Sequence, residues 1–305
     1  MKKLIAIALL LLTGNLFVSS QGAHFHRYRT TWNGAFDKLE VMGGLGFTQF
    51  MGDAGGADAI GTNFLADFDF DALRPNFLIG ARYRINHFVA IRLNVQYGIL
   101  KGHDQYTSYP GREFRNLGFR SPLLEWGGLV EFYFIPDAPE GHKHRHKRQK
   151  KGKVFTGYIA TGIAGCYFNP LGDYIDGTTY ELQLLHTEGQ GILPTRPEYA
   201  LTSFVIPVNL GFRYRVNSAI SIDAELCYRK SFSDYMDDIS QTYIDPSLLS
   251  DPVAQYFANP VPGTPGTEAG QQRGDPTDPD GYMFLMFNVS WKFSTNTRSV
   301  PKYYN

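Results

Sequence analysis

The sequence predicts an all-β protein, an eight-stranded antiparallel transmembrane β-barrel of the outer-membrane type with long outer loops. Three observations predict it. Eight segments alternate apolar and polar residues with the period of two that a strand imposes. Most run well beyond the ~5–6 residues usual in soluble sheets and reach the ~9–11 that a tilted strand needs to cross a bilayer. Their polar faces carry arginine, carboxylates and glycine but almost no lysine, which suits a closed interior better than a face in water.

The first segment, 39–50, sets Leu39, Val41, Leu45 and Phe47 against Glu40, Gly44, Gly46 and Thr48. The second, 76–85, opposes Phe77, Ile79, Ala81, Tyr83 and Ile85 to Gly80, Arg82 and Arg84. In the third, 88–100, Val89, Ile91, Leu93 and Val95 turn to lipid and Arg92 turns inward. The fourth, 121–134, alternates Leu124, Trp126, Val130, Phe132 and Phe134 with Glu125, Gly127 and Glu131. The fifth, 154–168, is less regular, with Phe155, Ile159 and Ile163 among glycines. The sixth, 204–216, places six apolar residues from Phe204 to Tyr214 opposite Asn209, Gly211, Arg213 and Arg215. The seventh, 219–229, alternates Ile220, Ile222, Ala224, Leu226 and Tyr228 with Ser221, Asp223, Glu225, Cys227 and Arg229. The eighth, 281–293, aligns Met283, Leu285, Phe287, Val289, Trp291 and Phe293.

Connections alternate in length. Asn86-His87 and Asn217-Ser218 give hairpin spacings, whereas 51–75, 102–120, 169–203 and 230–280 are long. Only 135–153 is long where a short turn is expected. Short turns at one end and long loops at the other match a barrel whose turns face the periplasm. Aromatic residues near the ends of the apolar faces, among them Phe47, Tyr83, Phe88, Phe212 and Trp291, fit interfacial girdles.

The opening residues 1–20 read as a signal peptide: Lys2 and Lys3, an apolar run from Leu4 to Leu12, then Val18-Ser19-Ser20 as a cleavage site. Residues 21–37 follow as a periplasmic lead-in, 38–293 as the barrel and 294–305 as a periplasmic tail. The expected location is the outer membrane of a Gram-negative bacterium, with its lipids as surroundings. Export permits disulfides, yet Cys166 and Cys227 fall two strands apart, roughly 9–10 Å at ~4.8 Å per strand and beyond the ~7 Å reach of a bridge. Two free thiols are expected.

The inward positions hold Arg82, Arg84, Arg92, Arg213, Arg215 and Arg229 with Glu40, Glu125, Glu131, Asp223 and Glu225. Arginine binds several oxygens at once, so these groups are expected to neutralise one another as a structural lattice. An eight-stranded interior is just wide enough for side chains to fill, and a conducting pore is not expected. Lysine and arginine balance aspartate and glutamate at 29 each, which gives no pull toward nucleic acid.

Other signals are weaker. His142, His144 and His146 alternate within the basic turn 141–153 and are weak metal candidates; a solvated basic loop, or a surface for an acidic partner, explains the run as well. The carboxylates of "SDYMDDIS" (233–240) and "DPTDPDG" lack the EF-hand spacing and read as a hydrogen-bonded outer lid rather than a calcium site. The Pro/Gly-rich stretch 260–281 reads as a mobile outer loop. No Ser/His/Asp or Cys/His arrangement stands out, so neither an enzyme nor a cofactor is expected.

Several stretches resemble the PorG-like outer-membrane barrels of the type IX secretion system. They are "FMGDAGG" with Gly52-Asp53, "RYRINHFVAIRLNVQYG", "EFYF", "FTGYIATGIAGCYFNP", the run from "IPVNLGFRYRV" through "DYMDDIS", and "DGYMFLMFNVSWKF". "DYMDDIS", with Asp234, Tyr235, Asp237 and Asp238, is the most specific, and the similarity covers most of 38–293. The resemblance implies a non-enzymatic anchor that holds a periplasmic ring, a lipoprotein and its soluble partner, to the outer membrane. It also implies that cargo crosses elsewhere. A small barrel that binds lipid, ligand or envelope surfaces through its outer loops is the alternative.

Overall fold

Eight long strands close on themselves. The computed structural model describes residues 38–54, 72–104, 115–136, 155–277 and 279–293. In chain order they form β1 (Leu39–Met51), β2 (Arg74–Arg84), β3 (Val89–His103), β4 (Gly118–Ile135), β5 (Phe155–Phe168), the short hairpin β6 (Leu171–Asp173) and β7 (Thr179–Glu181), β8 (Thr202–Arg215), β9 (Ile220–Ser231), one helix α1 (Pro252–Ala258) and β10 (Gly281–Lys292). The order β3-β2-β1-β10-β9-β8-β5-β4 is entirely antiparallel, and β3 pairs with β4 to complete the ring. The hairpin β6–β7 extends the sheet beyond the barrel by pairing Leu171 with Arg120. The proposed signal peptide, the lead-in as far as Asp37, the basic turn with His142, His144 and His146, and the C-terminal tail lie outside the described residues.

The two tight turns are built alike. Asn86 Oδ1 accepts from the amides of Phe88 (2.7 Å) and Val89 (2.9 Å), and Asn217 Oδ1 accepts from Ala219 and Ile220, both at 2.8 Å. An asparagine that bonds the backbone ahead of it is what such a turn requires. Both turns lie at the end where β1 starts and β10 finishes, as does the junction from β4 to β5, and the other four long connections leave the strands at the opposite end.

Outside, the barrel presents an unbroken apolar belt: Leu45, Ile79, Leu93, Ile163, Phe204 and Val289 are each more than half exposed. A belt of this extent on a water-soluble surface would be a large aggregation-prone patch; on a closed barrel it is the face that meets hydrocarbon. Tyr83, Phe88, Phe132, Phe134, Tyr214 and Trp291 ring it near the short turns, and Phe77, Tyr97 and Trp126 lie toward the other rim.

Four expectations need correction. Met283 has the parity of the lipid face but is only 3% exposed, because parity assigns a side chain to a face and says nothing about what covers that face. Arg215 is half-buried at the mouth rather than enclosed, since β8 ends there. Residues 260–281 are not a loose loop but fold by hydrogen bonds described below. The strands at the loop end also run further than alternation suggests, to His103 in β3 and from Gly118 in β4.

Cys166 and Cys227 are both buried thiols without a bridge. Their separation exceeds the two-strand spacing. Cys166 stands opposite Ser203 of β8 and Cys227 opposite Asn209, so they are also offset along that strand by roughly 20 Å at ~3.3 Å per residue.

Candidate functional site: a charged lumen beneath a folded cap

Ten inward charges fill the lumen in tiers. Nearest the short turns, Glu40 accepts from Arg84 Nε (2.9 Å) and Arg213 Nη1 (2.8 Å) and pairs with Arg82 at 3.3 Å. Asp223 pairs with Arg213 Nε at 2.5 Å and accepts from the Ser290 hydroxyl at 2.6 Å. Glu131 meets Arg82 Nε at 2.7 Å and Arg92 at 3.2 Å, and accepts from the Tyr133 hydroxyl at 2.6 Å. In the middle, Arg92 grips both oxygens of Glu225 at 2.5 and 2.9 Å, while Tyr158, Asn209 and Asn288 donate to the same carboxylate. Above them Arg229 bonds Glu125 at 2.9 Å, and the Tyr282 hydroxyl donates to Glu125 at 2.8 Å.

Five guanidinium groups, from Arg82, Arg84, Arg92, Arg213 and Arg229, thus face five carboxylates, all nearly inaccessible. The tiers are electrically balanced. Buried charges persist only when paired and hydrogen-bonded, and Tyr, Ser and Asn side chains supply the bonds that arginine leaves unmade. Toward the outer end the lumen turns apolar, with Phe50, Leu100, Phe119, Leu123, Phe168 and Phe284 in one cluster. This arrangement holds the wall together and fills the bore.

Over the apolar tier sits a cap made from the connections 169–201 and 232–280 with the roots of the other two long loops. The connections carry five acidic residues in 169–201 and nine in 232–280 but only two arginines of their own, Arg196 and Arg273, and Asp173 pairs with Arg120 of β4 at 3.1 Å. The chain satisfies its backbone donors with these carboxylates. Glu188 accepts from the amides of Ser240 and Gln241, both at 3.0 Å, and forms an ion pair with Arg273 at 2.9 Å. Arg273 also donates to the Asp238 carbonyl (2.6 Å) and the Phe257 carbonyl (3.3 Å). The backbone of Asp238 is left-handed (φ 66°), and its side chain is held by Thr187 and by the Tyr199 hydroxyl at 2.7 Å. Tyr199 and Tyr235 stack with centroids 4.5 Å apart.

Gly52, Asp53 and Asp237 lie at the roots of this cap. Asp237 accepts from the amides of Ala54 and Ile239, both at 2.9 Å, and so ties the 232–280 connection to the end of β1. Asp53 accepts from the Asp275 amide at 2.7 Å. At Gly52 a Cβ would fall 2.2 Å from Asp280 Oδ1 and 2.4 Å from the Phe50 ring, so only glycine lets the chain pass there. Asp104 binds Arg115 through both oxygens at 2.8 Å, and Arg115 in turn donates to the Asp53 carbonyl at 2.6 Å. The stretch 260–281 joins the same framework. Tyr243 donates its amide to the Gln271 carbonyl (2.9 Å), Arg273 to that of Gln241 (2.7 Å), and the Asn259 side chain bonds Thr267. Glu188, Arg273 and Arg115 were not singled out from the sequence; they sit in stretches without periodicity, and no local signal marks them.

Burial pushes Asp238 up to about 6, against the pull of Arg273, Thr187 and Tyr199. Burial raises Asp234 to about 7, with Asp53, Glu188 and Asp275 adding to the rise and Ser240 opposing it. Burial raises Asp237, with the charges of Asp53 and Asp234 adding to the rise, and burial raises Asp280, with Asp237, Asp234 and Asp53 adding to it. A carboxyl whose folded value lies above its unfolded ~3.9 is stabilised by the fold in its protonated form. Its contribution is therefore complete below pH ~4 and fades as the pH climbs to about 7. We expect proteolytic nicking within 232–280 to increase from pH 5 to pH 8 while the strands stay intact; nicking that is flat or falls with pH would refute this.

Among the described residues no group of three or more His, Cys, Asp or Glu is placed to hold a metal ion. No protein-family model matches the chain, and no curated protein matches it in sequence. Solved structures do match at low identity. Neisserial surface protein A is 13% identical, with 84% of this chain and 97% of that one covered and a TM-score of 0.39. Ail, the attachment invasion locus protein of Yersinia pestis, is 9% identical over 84% and 97%, with a TM-score of 0.34. The outer membrane protein OprG from Pseudomonas aeruginosa is 12% identical over 83% and 96%, with a TM-score of 0.37. At these values the barrel assignment stands on its own closed hydrogen-bond ladder.

Proposed function

We propose that the protein is a non-conducting outer-membrane component of a type IX secretion system, exported by its signal peptide, whose periplasmic end anchors a ring built from a lipoprotein and its soluble partner. The observation that carries the reading is the filled lumen. With five balanced ion-pair partners on each side and an apolar tier above, the bore has no room for cargo, so a role in secretion has to be exerted from the barrel's ends. The resemblance in "DYMDDIS" and the flanking strands supplies the system.

In-cell crosslinking from the periplasmic turns, followed by identification of the attached proteins, tests it. Recovery of a periplasmic lipoprotein and its partner is expected, together with loss of secreted cargo on gene deletion. If deletion leaves secretion intact and alters permeability or surface binding instead, the second reading replaces it. One observation favours that second reading, a small barrel that binds through its outer loops: the outer connections fold into a cap containing a cavity.

A further inference from the structure

The outward faces of the eight long strands hold almost no charge. Among the described residues they carry three lysines or arginines, Lys101 of β3, Arg120 of β4 and Lys230 of β9, and no carboxylate. Each stands no more than two residues from the loop-side end of its strand. Lys230 is on the far wall, four strands from β3 by either route around the ring. Lys101 and Arg120 are directly opposed in the β3–β4 ladder, so their side chains leave the wall side by side, ~5 Å apart at Cβ. Like charges placed in this way destabilise a sheet, and an anion held between them relieves that cost.

The pair is reachable. The Arg120 side chain is 46% exposed, and its bonds all come from Nη2, which donates to Asp173 (3.1 Å) and Thr179 (2.7 Å), so Nε and Nη1 stay available. Asp173 is itself exposed, and an ion pair in that setting holds weakly. The depth of the pair is set by the strand below it. On the outer face of β3 the apolar run from Val89 to Ile99 climbs about 25 Å, at ~3.3 Å per residue and ~40° of tilt, which is the full height of the hydrocarbon band. Lys101 is the next outward residue, at the level of the outer-leaflet headgroups.

Directly beneath the pair, Ile99 faces Pro122, Tyr97 faces Leu124 and Val95 faces Trp126, with Tyr97 and Trp126 both 46% exposed. This apolar column runs from the two cations down into the membrane. A soluble anion uses only the top of it, whereas a ligand with an anionic head and an acyl chain uses its whole length. The anion found at that depth of a bilayer is phosphate. Arginine binds phosphate through its planar fork and lysine as a point charge, and the outer leaflet of a Gram-negative outer membrane consists of phosphorylated glycolipid. We propose that Lys101 and Arg120 form a site on the barrel wall for one phosphate of an outer-leaflet glycolipid, with an acyl chain laid along the Tyr97–Trp126 column. The site rests on the seating of the barrel in the membrane and not on the secretion reading.

Native mass spectrometry of the full chain in a neutral detergent tests this. The probes are monophosphoryl lipid A, the same lipid stripped of its phosphate, phosphatidylglycerol and inorganic phosphate. The first lipid A adduct is expected to be held about tenfold more tightly than either the stripped lipid or phosphatidylglycerol. Arg120→Gln and Lys101→Gln should each weaken it about tenfold, the worth of one charge-assisted contact. Asp173→Asn, which removes the carboxylate that competes for Arg120, should strengthen it, an effect that loss of structure does not mimic. Lys230→Gln on the far wall should leave it unchanged. Heat-dependent gel mobility confirms that each variant is folded, and the exposed position of Arg120 and Asp173 keeps those two informative if another fails. Equal binding of the stripped lipid or of phosphatidylglycerol, displacement by inorganic phosphate, weakening by K230Q to the same degree as by R120Q, or no weakening by R120Q would overturn the proposal.

Discussion

Replacing Arg92 with alanine is expected to destabilise the barrel by about 3–5 kcal/mol, the usual consequence of removing one partner from a buried ion pair. The size follows from what is left behind. Glu225 loses two short charge-assisted bonds, Glu131 loses a contact at 3.2 Å, and both carboxylates stay at 0–1% exposure with no water to replace the guanidinium. Tyr158, Asn209 and Asn288 still donate to Glu225 but carry no charge to offset its own. Urea unfolding in detergent, followed by the mobility of unheated samples on gels, measures the loss. A double variant, Arg92→Met with Glu225→Gln, removes charge from both sides and should recover most of it, since a pair exchanged for neutral groups of similar size often costs little. A cost below ~1 kcal/mol for the single variant would mean that the lattice is hydrated and does not behave as a dry interior.

The lattice was legible in the sequence because one physical rule governs it. Lipid on one face forces every second side chain to be apolar, so Arg92 and Glu225 declare their direction by position alone. Their pairing was not legible. Arg92 in β3 and Glu225 in β9 lie on strands that are not neighbours, and they meet only because the sheet closes. Arg215 shows the limit of the rule: its parity is inward, yet the strand ends with it and leaves it at the mouth. Met283 shows the converse, an outward side chain that is nevertheless covered. The cap was barely legible at all. "SDYMDDIS" marks a carboxylate-rich turn, but the partners of Asp238 and Glu188 come from segments tens of residues away, selected by shape and backbone donors that leave no period in the chain.

That distinction predicts how the two halves fail. Glu188→Ala removes at once the ion pair to Arg273 and the acceptor for the Ser240 and Gln241 amides, all of them buried. The local cost is expected to be about 3–5 kcal/mol, most of it from Arg273, left buried without its carboxylate. The barrel strands make none of these contacts. The cap should therefore open as a unit of lower stability while the ring of strands persists. Amide exchange is expected to lose protection across 169–201 and 232–280, with the heat-dependent gel shift unchanged. Glu188→Gln keeps an acceptor of similar shape and should fall between the two. Concerted loss of strand protection would show instead that the cap and barrel fold as one body.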